Sequence, residues 1–465
     1  MKTLDRKVQE LFPEILSSLQ VSIRIPSVRS AAEEGAPFGR EIGRALDHAL
    51  CEARRLGLRT GECDGYVGWA EIGDGDEMVA VLAHLDVVPA GDGWSLPPYG
   101  GEVREGRIYG RGAMDDKGPA IGALWALHAI QSLALPLHRR IRLILGTNEE
   151  SGMADIPHYL QAGGESPRFG FTPDGDFPIV AAEKGQLHID LRGTLPLPRQ
   201  IGLKKLTAGT AINVVPDEAV AILSCPDETA AAKLGRVLNE DASARGISLA
   251  LRGNGAEPLE VSLRGRSAHG STPERGVNAA LLLMDLLGET VDESWACRLK
   301  EVGSAFLDAP EGRKLGLAIS DAPSGALTCN VGLVEGGENS FRMGLDIRHP
   351  VTADAEELLT RLKGWAQGKS LHMELLRRKP PLWMPQESEL IRRLQKVYRE
   401  KTGQEPSLLS MGGGTYAKAL PNTVAFGPRF PGDPDVVHKA DEYISLDSLL
   451  RTVRIMAAAM VELAS

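Results

Sequence analysis

Met78-Val79-Ala80-Val81-Leu82-Ala83-His84-Leu85-Asp86 carries six apolar residues straight into an imidazole and a carboxylate. A short apolar run bounded this way reads as a strand that ends at the motif. Two further runs end alike: Ile141 to Gly146 leads into Thr147-Asn148-Glu149-Glu150, and Phe169 to Thr172 into Pro173-Asp174. Open α/β sheets gather ligands beyond the carboxyl ends of their strands, so three strands delivering charge there imply one crevice. Around them, Phe38 to Leu56 repeats at helical spacing and stops at Gly57, and Gly118 to Leu135 is helical. The pattern predicts an α/β domain.

The charged residues suit metal chemistry. His84 and Asp86 are two apart, so they share a face of an extended strand. Asp115 and Asp116 follow Gly110-Arg111-Gly112, Glu149 and Glu150 end a strand, and His438 comes near the end of the chain. Two imidazoles and three carboxylates fit two borderline metal ions when one carboxylate bridges, and such a pair activates water. Singly, each motif has an ordinary reading: a structural histidine, a helix cap, a surface acid pair. Adjacent glutamates can also divide labour, one holding metal while the other is a base.

A chain of 465 residues predicts two or three domains. With 43% hydrophobic and 25% charged residues the composition is that of a globular protein, and the net charge of -10 argues against nucleic acid or an anionic membrane as partner. Cys51, Cys63, Cys225, Cys297 and Cys329 are odd in number and never spaced Cys-x-x-Cys, so they read as reduced thiols of a cytoplasmic protein. Residues 1–20 lack the apolar centre of a signal peptide, and Ala120 to Leu137 reads as a buried helix and not as a membrane span.

From about residue 187 to 381 the texture changes. The runs Leu187 to Leu191, Ala219 to Leu223, Leu259 to Leu263, Ala326 to Val334, Phe341 to Ile347 and His372 to Leu376 read as strands. They interleave with helices at Glu228 to Arg245, Val277 to Leu287, Trp295 to Phe306 and Asp354 to Trp365. This predicts an inserted α+β domain, long enough for two subdomains, between catalytic pieces at 1–186 and 382–465. After Pro380-Pro381 the pattern returns to α/β, with a helix Glu387 to Lys401, strands near Ser407 to Ser410 and Val424 to Phe426, and a closing helix Leu446 to Leu463.

Taken together, the motifs resemble those of the co-catalytic zinc metallopeptidases of aminoacylase, glutamate carboxypeptidase, succinyl-diaminopimelate desuccinylase and PepV-like dipeptidase type. The resemblance rests on His84-Leu85-Asp86 through Trp94, Gly110 through Pro119, Thr147 through Gly152, Pro173 through Pro178 and Glu183-Lys184-Gly185, and covers essentially the whole chain. The last two motifs and Pro119 resemble the PepV branch. The resemblance implies a mixed-sheet zinc-peptidase domain flanked by helices, carrying a large α+β lid. It implies that His84 and Asp174 hold one zinc, Glu150 and His438 the other, and that Asp115 bridges them and precedes a cis peptide bond. Asp86 is implied to orient His84, and Glu149 to be the general base acting on a metal-bridged water.

In the middle segment, Gly265 through Ser271 resembles the lid motif whose histidine, here His269, polarises the scissile carbonyl. Asn213 resembles a lid asparagine, Arg348 a carboxylate clamp, and Gly413-Gly414 a substrate loop. The implied activity is hydrolysis of unblocked dipeptides with two zinc ions, manganese or cobalt being substitutes. The alternatives are an amidohydrolase or carboxypeptidase acting on N-acyl amino acids, and a non-catalytic binding protein that kept the fold. The insert is long enough for His269 to act within one chain, so a monomer is expected, with a homodimer left open. His48, His128, His138, His158, His188, His349 and His372 match no motif and are expected to be structural.

Overall fold

The computed structural model describes residues 2–253 and 257–465. The chain divides into two units: Met1–Ala182 with Leu382–Ser410 and Gly414–Ser465, and Glu183–Pro381 with Met411–Gly413.

The first unit is built on a nine-stranded mixed sheet. Its strands run in the order Arg59–Cys63, Val67–Ile72, Arg140–Gly146, Met78–His84, Phe169–Thr172, Thr423–Ala425, Ile179–Glu183, Leu382–Trp383, with Leu408–Met411 also pairing Ile179–Glu183. The central strands Arg140–Gly146, Met78–His84, Phe169–Thr172 and Thr423–Ala425 are parallel. Strand Met78–His84 is buried at every position because both its faces are covered. Val79, Val81 and Ala83 enter one core with the helices, while Met78, Ala80 and Leu82 enter a second with Ile156, Tyr159 and Tyr416. That is the period-two alternation of a strand between two layers.

Helix Lys117–Ser132 buries thirteen of its sixteen residues, so it is apolar all round as an interior helix should be. It packs on the closing helix Leu446–Ala464. Among the described residues, no helix is long and apolar enough to cross a membrane. A small sheet of Glu102–Arg104, Arg107–Tyr109 and Tyr443–Ser445 ties the end of the chain to the segment before Asp115.

The second unit is one antiparallel sheet of eight strands. Their order is Ser248–Arg252, Leu259–Arg264, Glu218–Ser224, Gly202–Ala208, Thr328–Gly336, Ser340–His349, Gly185–Thr194, His372–Lys379. Ala219, Ala221 and Leu223, then Met343, Leu345 and Ile347, point into a core shared with helices Glu228–Ala244, Ala279–Thr290, Ser294–Gly303 and Ala355–Gly368. His188, Asp190, Asp346 and Arg348 have the opposite parity and so stand on the other face. Two strands of this eight-stranded sheet escaped the sequence reading: Gly202–Ala208, interrupted by Lys204-Lys205 at a register shift, and the edge strand Ser248–Arg252.

Candidate active site

Three central strands of the first unit end at or just before a ligand-type side chain (His84, Glu150 and Asp174), while Asp115 follows the small-sheet strand Arg107–Tyr109 and His438 follows Pro428–Arg429. His84 ends its strand fully buried, and its Nε2 lies 3.0 Å from Asp115 Oδ1 and 4.0 Å from Asp174 Oδ2. His438 Nε2 lies 3.1 Å from the other Asp115 oxygen and 3.1 Å from Glu150 Oε1. His84, Asp115 and Asp174 therefore form one group, and Asp115, Glu150 and His438 a second, each with donor atoms within 4.8 Å of one another. Asp115 belongs to both.

These groups fit zinc. Donors at 2.0–2.1 Å from a tetrahedral ion stand about 3.3 Å apart, and the separations of 3.0 to 4.0 Å bracket that value. The field in the crevice also calls for cations. Burial first, then the charge of Asp174, pushes the Glu149 carboxyl well above 4.5. Burial and the charge of Asp115 raise Glu150 likewise. Burial works against the His438 imidazolium, yet hydrogen bonds to Asp115 and Glu150 hold its pKa up at about 11. Ligating nitrogen and oxygen must be unprotonated, so metal binding at His438 and Glu150 works against these shifts and releases protons.

Asp86 serves the site in two ways. Its main-chain oxygen, 2.9 Å away, takes the hydrogen bond of His84 Nδ1, while its carboxylate stands 3.5 Å from that nitrogen. The carboxylate oxygens instead accept the main-chain N–H groups of Glu149 and Glu150, both at 3.1 Å. The tautomer of His84 is thus set chiefly by a carbonyl, and the Asp86 side chain fixes the loop carrying the two glutamates. The Asp115–Asp116 peptide bond is cis, and Asp116 accepts the His84 main-chain N–H at 3.1 Å.

Three residues that support the site carried no signal in the sequence. Glu442 Oε1 accepts the N–H groups of Gly112, Met114 and Asp115 at 3.0 to 3.2 Å, while Oε2 pairs with Arg111. Asp155 accepts the N–H groups of Thr147 and Asn148 at 2.7 and 2.9 Å and also the hydroxyl of Tyr416. A Cβ on Gly146 would lie 2.1 Å from that hydroxyl, so only glycine lets Tyr416 reach the loop.

In the second unit, Asn213, His269 and Arg348 are also brought near one another. Asn213 O accepts the Gly270 N–H at 2.7 Å, and a Cβ on Gly270 would meet Asp346 at 2.6 Å. Arg348 donates to both Asp346 oxygens at 2.7 and 2.8 Å and to Gly412 O at 2.8 Å. His269 Nδ1 lies 2.7 Å from Ser271 Oγ. Gly413 falls in this unit and Gly414 in the first.

The model of peptidase family M20/M25/M40 matches residues 80–462. The sequence is 36% identical over 463 residues to a Bacillus subtilis strain 168 protein described as "putative dipeptidase YtjP", covering 97% of each chain. It is 32% identical to "putative dipeptidase SSP1012" of Staphylococcus saprophyticus, covering 98% of each. Human carnosine dipeptidase 1 shares the fold at a TM-score of 0.60 and 15% identity, over 100% of this chain and 98% of that one. So does aminoacylhistidine dipeptidase from Vibrio alginolyticus, at 0.58 and 16%, over 96% of each.

Proposed function

The chain belongs to peptidase family M20/M25/M40, and on that premise we propose that it is a metal-dependent dipeptidase acting on unblocked dipeptides. The observation that carries the reading is the pair of three-ligand groups sharing Asp115, with Glu149 next to the ligand Glu150. His84 and Asp174 would hold one zinc, Glu150 and His438 the other, and Asp115 both. The same donors accept manganese or cobalt. When bound, the ions supply Lewis acidity toward the scissile carbonyl and toward water.

Glu149 takes the proton of the attacking water as oxygen bonds to the peptide carbon, then gives it to the leaving amine as the carbon–nitrogen bond breaks. Burial raises its carboxyl above the usual range, which favours its holding a proton. Asp86 and Asp155 hold the loop that aims it. Asn213, His269 and Arg348 are assigned to the substrate, His269 as donor to the carbonyl and Arg348 to the terminal carboxylate, with Gly413 and Gly414 in the substrate loop. Arg348 commits three of its five N–H donors to Asp346 and Gly412, which leaves one on each terminal nitrogen for a carboxylate.

The test pairs two neighbouring variants. Glu149→Ala lowers turnover of an unblocked dipeptide by about 10²–10⁴-fold while elemental analysis shows the metal retained. Glu150→Ala loses metal. The reverse pattern would remove Glu149 from the role of base. Faster hydrolysis of N-acetylated than of unblocked dipeptides would replace the dipeptidase reading with an N-acyl amidohydrolase.

A further inference from the structure

A second set of metal-type donors lies in the first unit, made of residues with no part in the catalytic groups. Cys63, Asp64 and His158 each present one donor atom, and the three atoms all lie within 4.8 Å of one another. His158 Nε2 is 2.9 Å from an Asp64 carboxylate oxygen. Cys63 is half-buried, while the His158 and Asp64 side chains are 32% and 75% exposed, so the group opens to solvent.

We propose that Cys63, Asp64 and His158 form a separate binding site for a borderline or soft divalent ion of the zinc and cadmium class. A thiolate, an imidazole and a carboxylate together select such ions; oxygen donors alone would favour magnesium or calcium. Three protein donors leave a coordination position for water or an external ligand. The Cys63 thiol proton passes to solvent as the sulfur–metal bond forms.

Local structure places the donors before any ion arrives. Cys63 ends strand Arg59–Cys63, and Asp64 and Gly65 turn the chain with φ of 49° and 71°. The Tyr66 N–H closes that turn on Cys63 O at 2.8 Å. A Cβ on Gly65 would stand 2.1 Å from Gly35 O, so the turn is restricted to glycine there. His158 comes from helix Asp155–Gln161, and its ring stacks on Tyr66 with centroids 3.9 Å apart and planes 16° from parallel.

The neighbourhood gives the site a consequence. The helix bearing His158 begins at Asp155, which holds the Thr147 and Asn148 N–H groups, and the Thr147 hydroxyl donates to Tyr66 O at 2.6 Å. An ion at the trio fastens the 63–66 turn to that helix, and so stiffens the loop leading to Glu149 and Glu150. This holds whatever substrate the enzyme takes.

Cadmium titrated into the zinc-loaded protein tests the site. A thiolate-to-cadmium absorption band should grow to one equivalent, weaken in His158→Asn, vanish in Cys63→Ser and persist in Cys51→Ser, whose thiol is exposed elsewhere. In the unmodified protein, excess zinc should slow alkylation of Cys63, read by peptide mass spectrometry. Absence of the band, a band unchanged in Cys63→Ser, or a Cys63 alkylation rate indifferent to zinc would each overturn the proposal.

Discussion

In the second unit Asp346 is paired with Arg348, and Asp190 lies between Arg192 and Arg342, so buried carboxylates there face arginines of the chain itself. In the first unit Asp115, Glu149, Glu150 and Asp174 crowd around two imidazoles. Satisfied charge holds a scaffold together, whereas charge left short of partners stores affinity for something that must be brought in. Glu442 shows that both solutions occur within the first unit: its carboxylate is saturated by Arg111 and three N–H groups a few residues from Asp115.

The contrast can be broken in graded ways. The largest effect is expected from Asp115→Ala, because both ligand groups contain that residue. Elemental analysis should show both metals lost and dipeptide hydrolysis at background, whereas His438→Ala should retain the His84 ion. Retention of two ions by Asp115→Ala would refute the shared-ligand arrangement. Next, Asp346→Ala leaves Arg348 buried without its partner, which should cost about 3–5 kcal/mol in denaturant unfolding. A neutral result would show that Asp346 is not a structural anchor.

Glu149→Gln should act in the opposite direction on the metal-free protein. The folded pKa of Glu149 is raised, so its contribution to stability falls as pH rises above 4.5 toward that pKa. The glutamine variant escapes this loss and should be the more stable protein at pH 7, its advantage shrinking as pH falls toward 4.5, while being inactive. Calorimetry of chelated protein decides it, and equal stability would mean that the crevice carries no strain of charge.

The smallest effect concerns Glu293, which accepts the N–H groups of Arg199, Gln200 and Ile201 at 2.7 to 2.9 Å. Burial opposes its ionisation, but those three bonds prevail and its pKa falls below 4.5. Its stabilisation is present above that value and is lost as pH drops through the lower folded pKa. Glu293→Gln should cost about 1 kcal/mol at pH 7 and nothing at pH 2, a convergence visible in paired unfolding curves.

Much of this was readable beforehand where the signal is local. The strands ending at His84, Gly146 and Thr172 announce themselves by apolar runs that stop at charge, and the structure ends Met78–His84, Arg140–Gly146 and Phe169–Thr172 at those residues. The α/β fold with an α+β insertion follows from the same texture. Short amphipathic elements hide: helix Asp155–Gln161 has seven residues and contains a proline. Supporting residues hide for a different reason. Tyr416 reaches Asp155 across 261 residues and Glu442 reaches Gly112 across 330, and no spacing rule spans such distances. The choice between the carbonyl and the carboxylate of Asp86 as partner of His84 is a matter of tenths of an ångström, which no motif encodes.

Strand Thr423–Ala425 lies inside the first unit's sheet, parallel to Phe169–Thr172 on one side and antiparallel to Ile179–Glu183 on the other. A ribosome delivers its two neighbours some 240 residues before it delivers the strand itself. Until then the nascent sheet has a gap at its middle and exposes two apolar edges of the kind that recruit foreign strands. The second unit's main segment, Glu183–Pro381, is continuous and emerges whole during that wait. The second unit can therefore close its own eight-stranded sheet from one continuous segment, while the sheet of the first unit stays open at its middle until Thr423–Ala425 is available.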